Sequence, residues 1–272
     1  MRGFLLRTWH GDLGYSFRTS PVAMAAALIA FICLFCAVFA NVVAPHNPFD
    51  LATLELSDAF LPPLWLADGN PKYLLGTDDQ GRDILSALMF GARISLMVGL
   101  ASVALSAAVG VTLGLLAGFV GGTLDAFIMR VCDVMLSFPV ILIALLIAGV
   151  GRALFPNAPS AMVFGVLILS ISLTGWVQYA RTVRGSTMVE RHKEYVQAAR
   201  LTGVAPLRIM RRHVLPNVLG PVMVLATIQV ATAIITEATL SFLGVGAPPN
   251  SPSLGTLIQV GNKFLFSGNW WI

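Results

Sequence analysis

The sequence predicts an all-α, polytopic membrane protein, and three observations predict it. Of its 272 residues, 57% are hydrophobic and only 11% are charged, whereas soluble domains carry about 25% charged residues. The mean hydropathy is +0.82. The apolar residues also gather in stretches close to the roughly 20 residues that cross a bilayer as a helix. A soluble globular fold is excluded, because such stretches bury their backbone polar groups only as membrane helices.

Five spans are expected, at about residues 22–44, 94–119, 126–150, 161–180 and 218–243. The first follows Arg2, Arg7 and Arg18 and is longer than the apolar core of a secretory signal, so it reads as an uncleaved anchor. In the second, Ser102, Ser106, Gly110, Gly114 and Gly118 repeat every fourth residue and flatten one helix face for close packing. A short turn at Gly121-Gly122 joins the second and third spans. Cys33, Cys36 and Cys132 are too few, and too apolar in their surroundings, for a disulfide or metal framework.

Orientation follows from the basic residues, which cytoplasmic loops retain. Three arginines precede the first span. Eight more basic residues, Arg181, Arg184, Arg191, Lys193, Arg200, Arg208, Arg211 and Arg212, lie between the fourth and fifth, so the two segments hold eleven of the 17. Both are assigned to the cytoplasm, and the net charge of +4 concerns membrane orientation, not nucleic acid. The connection from Pro45 to Gly91 is acidic, with Asp50, Glu55, Asp58, Asp68, Asp78, Asp79 and Asp83, and its prolines forbid a long helix. It is read as an ordered external loop.

Several chemistries are absent. No G-x-x-x-x-G-K-[ST] occurs, since the three lysines follow Pro71, His192 and Asn262, so the chain is not itself a P-loop ATPase. Hydrolase and metalloprotease motifs are missing as well, and His10, His46, His192 and His213 are scattered. The chain is therefore read as no enzyme and no metal site. Charged residues inside spans mark helix contacts or ion paths. Asp125, Arg130 and Asp133 read as an interfacial cluster with an Arg130–Asp133 pair, while Glu237 faces either a neighbouring helix or an aqueous path.

The long cytoplasmic connection, 181–216, reads as two short helices. One runs from about Met188 to Leu201 and stops at Gly203; the second starts at Pro206 and ends near Val214, before Pro216. Leu207, Met210 and Val214 form its expected apolar stripe, and Ala198, Ala199 and Gly203 make a low-profile elbow. Gln197-Ala198-Ala199, three residues, Gly203, nine residues, His213, one residue and Leu215-Pro216 resemble the "EAA" loop of ABC importer permeases. Gln197 and His213 depart from the family's glutamate and isoleucine. The flanking Glu194-Tyr195-Val196 and Val214-Leu215-Pro216-Asn217 look like its peptide-transporter branch.

A second resemblance lies before the second span. Leu75-Gly76-Thr77-Asp78-Asp79-Gln80-Gly81-Arg82-Asp83 is similar to the "LGTDxxGRD" signature of C-type dipeptide, oligopeptide and nickel permeases. Locally, Thr77 and Gln80 fit a capping box at a helix start. Segments 44–48, 133–139 and 237–244 look like the same family.

The resemblance implies a type I ABC importer transmembrane fold. The usual sixth span would follow a Trp-Trp pair, and here Trp270-Trp271-Ile272 ends the sequence, which leaves five. The expected organisation is a cytoplasmic segment at 1–20, an anchor and external loop at 21–92, and a permease domain at 93–272 in a bacterial inner membrane. Implied partners are a homologous second permease subunit, two ABC ATPase subunits holding ATP and magnesium, an extracytoplasmic substrate-binding protein and membrane lipid. Residues 194–216 would couple to the ATPases, with dipeptides or oligopeptides as cargo. Nickel or another small solute stays open and is separated by the binding protein encoded alongside. An ion-coupled carrier using Asp133 and Glu237 predicts transport without an ATPase, and a scaffold protein predicts none.

Overall fold

The computed structural model describes residues 12–49, 54–248 and 251–272. Arg2, Arg7, His10 and Asp50, which entered the charge and motif readings, lie outside them. The chain divides into two compact units, residues 1–93 with Trp271, and residues 94–270 with Ile272.

In the first unit, a short helix α1 (Asp12–Thr19) leads to α2 (Pro21–Val38). Ser20 caps α2 by accepting the Ala23 N–H at 3.3 Å. Pro21 sits in the first turn, where its missing N–H leaves nothing unpaired. The side chains of α2 are mostly exposed, Val22 at 76%, as suits a helix surrounded by lipid. After Phe39 comes α3 (Ala40–Val43). The carbonyls left open at the end of α2 are met by Arg93, which donates to Ala37 O at 2.8 Å, Val38 O at 2.9 Å and Asn41 Oδ1 at 2.8 Å. A guanidinium there also complements the negative end of the helix dipole.

The second span is longer than expected. Helix α4 (Ile84–Val120) has 37 residues and starts ten residues before the anticipated Ile94. Arg93, in its third turn, interrupts the apolar run and hid the start from a hydropathy reading. Gly121 follows it, with α5 (Gly122–Leu136) directly after.

The third expected span is not one straight helix. α5 and α6 (Val140–Leu154) are bent by 87° across Ser137-Phe138-Pro139. Pro139 lacks the N–H that would continue the ladder and pushes Phe138 out of helical conformation. The end of α5 is closed locally, as the Ser137 N–H and hydroxyl both reach Asp133 O. Among the described residues, four helices are long and apolar enough to cross a membrane, or five if the bent pair counts as one span.

The 31-residue α7 (Ser160–Glu190) is central to the second unit, with Leu167, Ile171, Tyr179 and Val183 buried in the main core. It meets α4 along the small-residue face that the sequence indicated. Ser106 Oγ donates to Ser172 O at 3.2 Å, Ser172 Oγ donates to Ser102 O at 3.1 Å, and a Cβ on Gly110 would fall 2.4 Å from Trp176 O. Beyond the connection that follows α7, α10 (Leu215–Phe242) returns along α7. α11 (Leu254–Lys263), capped by Ser253, then packs on α10.

Candidate functional site

The connection between α7 and α10 is folded. α8 (Glu194–Leu201) begins with Glu194, whose charge favours a helix N-terminus. It buries Val196 and Ala199 and exposes Gln197 and Ala198. Ala199 is therefore an interior residue and not part of the elbow surface. The anticipated helix start at Met188 is corrected too: α7 continues to Glu190, and a turn at 191–193 separates it from α8.

Helix α8 ends in a Schellman motif, with the Gly203 N–H bonded to Arg200 O at 3.0 Å and the Val204 N–H to Ala199 O at 3.1 Å. Gly203 stands at φ +77°, a conformation that penalises any Cβ. α9 (Pro206–Ile209) follows, with Pro206 in its first turn. It does not stop before Pro216. A π turn at Met210–Val214 carries it straight into α10, with the Leu215 N–H reaching Met210 O. Pro216 has no N–H to return to Arg212, and the widened turn lets the chain pass with that bond missing.

The buried face also departs from the expected stripe. Ile209, Met210 and Val214 are interior, while Leu207 is 63% exposed instead of joining the expected stripe. Leu201 is 89% exposed, so two leucines flank the elbow of Gly203 and Pro206 at the tip of the connection.

One hydroxyl ties the base together. Tyr195 Oη bonds to Glu190 Oε1 at the end of α7 and accepts from Asn217 Nδ2 on α10 at 3.0 Å. Asn217 Nδ2 also donates to His213 O at 2.7 Å, and the His213 ring lies over that of Tyr195 at 6.5 Å. Burial, and then the hydrogen bond to Glu190, push the Tyr195 phenol up to about 12, which keeps it neutral and able to donate. Lys193 pairs with Glu190 at 2.8 Å, and Arg191 donates to Gly118 O at 2.9 Å at the end of α4. Leu215 is partly covered and Pro216 exposed in the first turn of α10.

The intramembrane acids find partners that the sequence reading missed. Asp133 pairs with Arg181 of α7, not with Arg130, and Asp125 takes a two-pronged contact from Arg184, whose second arm measures 2.7 Å. The available signal was two acids on α5 and two arginines on α7, and their unequal spacings, eight and three residues, did not fix the pairing. Glu237 is wholly buried and faces a neighbouring helix. Its carboxylate accepts from Ser95 of α4 at 2.7 Å and from Ser241 at 2.6 Å, and Ser241 in turn accepts from Ser253 at 3.0 Å.

The signature at residues 75–83 lies within the first unit. Thr77 does not cap a helix. Its buried hydroxyl donates to Asp58 O at 2.5 Å and accepts from the Leu61 N–H at 2.9 Å, because the helix starts only at Ile84. Asp78 closes the turn, accepting from the Gln80 and Arg82 N–H groups and from Arg82 Nε at 2.6 Å. Asp83 is the residue that caps α4, accepting the Ser86 N–H at 3.1 Å. Gly76 and Gly81, both at positive φ, let the loop fold on itself, and a Cβ on Gly81 would meet Glu55 O at 2.5 Å. Asp58 is held below the usual carboxylate range by the hydroxyl of Tyr73 and then by Lys72.

The described residues form an apolar helical bundle with one broken helix and a folded two-helix connection between two of its long helices, and its family and relatives make it the transmembrane subunit of an ABC importer. The chain belongs to the family described as "Binding-protein-dependent transport system inner membrane component", which matches residues 110–268. It is 40% identical over 265 residues to the dipeptide transport system permease protein DppC of Escherichia coli strain K12, covering 97% of this chain and 82% of that one. The oligopeptide transport system permease protein OppC of Bacillus subtilis strain 168 is 34% identical, with 95% and 79% covered. Among solved structures, a chain of the MetNI methionine ABC transporter in an inward-facing conformation matches with a TM-score of 0.55 at 20% identity, covering 68% of this chain and 84% of that one. That likeness is one of fold, and it agrees with the type I architecture expected from the sequence.

Proposed function

We propose that this chain is one of two homologous permease subunits of an ATP-driven importer for dipeptides or oligopeptides, set in a bacterial inner membrane with its N-terminus in the cytoplasm. Two ATPase subunits binding ATP and magnesium would drive it, and an extracytoplasmic binding protein would deliver cargo. The observation that carries the reading is the elbow: exposed Leu201 and Leu207 flank a Gly203–Pro206 turn on a base clamped by Tyr195. An apolar tip of this kind suits a cleft on a partner protein.

Force applied to α9 would pass along one continuous element, because residues 206–242 run unbroken for about 55 Å at 1.5 Å per residue. The same push would reach α7 through Tyr195 and Glu190. Alternating access then becomes a tilt of α7 and α10 between two packings. The names of the relatives favour peptides over nickel. Glu237, enclosed by serines, offers no aqueous path for ion coupling.

The test is affinity purification in mild detergent together with dipeptide uptake by reconstituted vesicles. A P-loop ATPase should copurify, and uptake should require ATP. Dipeptide transport by the isolated chain with no ATPase present would refute the reading.

A further inference from the structure

Among the described residues, two ion pairs join α5 to α7, and they differ in what they leave unused. Asp125 and Arg184 meet through two prongs, with 16% and 31% of their side chains exposed. Asp133 and Arg181 meet only through Oδ1 and Nη2, with 54% and 43% exposed. Asp133 Oδ2 and the Nε and Nη1 of Arg181 therefore have no hydrogen-bond partner among the described residues. Arg181 lies about 31 Å along α7 from Ser160 and about 14 Å from Glu190, at 1.5 Å per residue. A half-exposed charge at such a depth faces a cavity and not lipid, which would not accept it.

The pair borders a cleft among α4, the α5–α6 break, α7 and α10. Leu136 and Gln178 line the cleft, and they lie one helical turn from Asp133 and Arg181 respectively. Gln178, Gln229 and Thr232 are its accessible polar side chains, and none of its lining residues is charged. The pair thus sets both signs of charge at the edge of a neutral, hydrogen-bonding cleft.

Arg181 still offers charge-assisted donors, and Asp133 an ionised acceptor. A ligand that uses both carries one carboxylate and one ammonium group. A ligand with one charge would leave half of the pair unmatched. A dipeptide with free ends holds both charges within about 7 Å, at roughly 3.3–3.6 Å per extended residue, and the amide between them suits uncharged glutamine and threonine. We propose that the Asp133–Arg181 pair receives the two charged ends of a short peptide in transit, Arg181 the carboxylate and Asp133 the ammonium. The inference rests on the peptide-importer reading and adds the point within this subunit at which cargo is recognised.

The test uses the complete importer in detergent, without binding protein or ATP, so that any selection is the permease's own. Cys33, Cys36 and Cys132 are replaced by alanine, and Gln178→Cys places one thiol a turn from Arg181. The rate at which N-ethylmaleimide modifies this chain is measured with millimolar dialanine, and with N-acetyldialanine amide, which keeps the backbone and has no charged end. Dialanine should slow modification at least threefold, and the blocked peptide should not. Asp133→Asn combined with Arg181→Gln removes both charges without stranding either, and should abolish the protection. The two peptides are compared on the intact pair, so that comparison decides even where the double variant fails to assemble. Equal protection by both peptides would overturn the proposal, as would protection that survives the double variant. Absence of protection in an importer that accumulates dialanine once reconstituted with its binding protein would also overturn it, leaving the pair as a clasp between helices. A reconstituted importer that accumulates another solute and no peptide would overturn the peptide-importer reading, and this inference with it.

Discussion

Gly114→Ala perturbs the contact on which the α4–α7 packing depends. A Cβ at Gly114 would lie 2.4 Å from Ala180 O and 3.0 Å from both Ala180 Cα and Val183 Cβ, while ordinary contact begins at 3.4 Å. Backbone cannot swing aside as a side chain can, so the helices must part by about 1 Å there. Overpacking of this kind costs about 1–3 kcal/mol. The separation would also weaken the serine bonds at 3.1 and 3.2 Å between Ser102, Ser106 and Ser172, each worth about 0.6 kcal/mol within a membrane. The better helix propensity of alanine returns about 1 kcal/mol. The net loss is about 1–3 kcal/mol. Gly149→Ala on α6 is the control: a Cβ there meets nothing within 4 Å, so only the propensity gain remains. Titration of the purified proteins with SDS in mixed micelles, followed by far-ultraviolet circular dichroism, should unfold Gly114→Ala at a clearly lower SDS fraction than Gly149→Ala. Coincident transitions would refute the close packing of α4 on α7.

Three further outcomes are expected. Tyr195→Phe should leave ATPase copurification intact but lower uptake per ATP hydrolysed severalfold, because the hydroxyl linking Glu190 to Asn217 is lost. With its pKa raised from 10.0 to about 12, this phenol contributes stability fully below pH 10 and loses it as pH rises through about 12; phenolate absorbance of wild type minus Tyr195→Phe should titrate near 12, and a midpoint near 10 would place the hydroxyl in water. At Gly203, Asn should retain ATPase copurification and Val should reduce it about tenfold, since asparagine tolerates positive φ and a β-branched residue does not; equal loss in both would show that any side chain obstructs docking. Asp125→Asn should destabilise by about 1–3 kcal/mol in the same SDS titration, and Arg184→Lys by less, because lysine keeps the charge and loses the second prong; the reverse order would mean that Arg184 draws its stability from another contact.

Reading these helices from the chain succeeded where the signal is local. The glycine and serine repeat on α4 meets α7 as its spacing required, and Gly203 ends α8 where its freedom at positive φ is needed. Pro139 was equally visible but sat within a stretch whose hydropathy ran on without interruption, so the 87° break it causes passed unnoticed. At Pro216 the opposite happened. A residue that normally ends a helix is carried through by a π turn.

The importer family entered through the resemblance of residues 75–83 and 194–217 to known permeases, while hydropathy and charge placement determined by themselves that this is a multi-span membrane protein with a basic connection. Those properties follow from the cost of placing each residue in lipid or water, which depends on the residue and its near neighbours. Only the tertiary structure decided that Asp133 pairs with Arg181 and that Glu237 is met by Ser95. Each pairs groups tens to more than a hundred residues apart, and the partner is chosen by which helix faces can approach, a property of the packed bundle and not of any one stretch of chain.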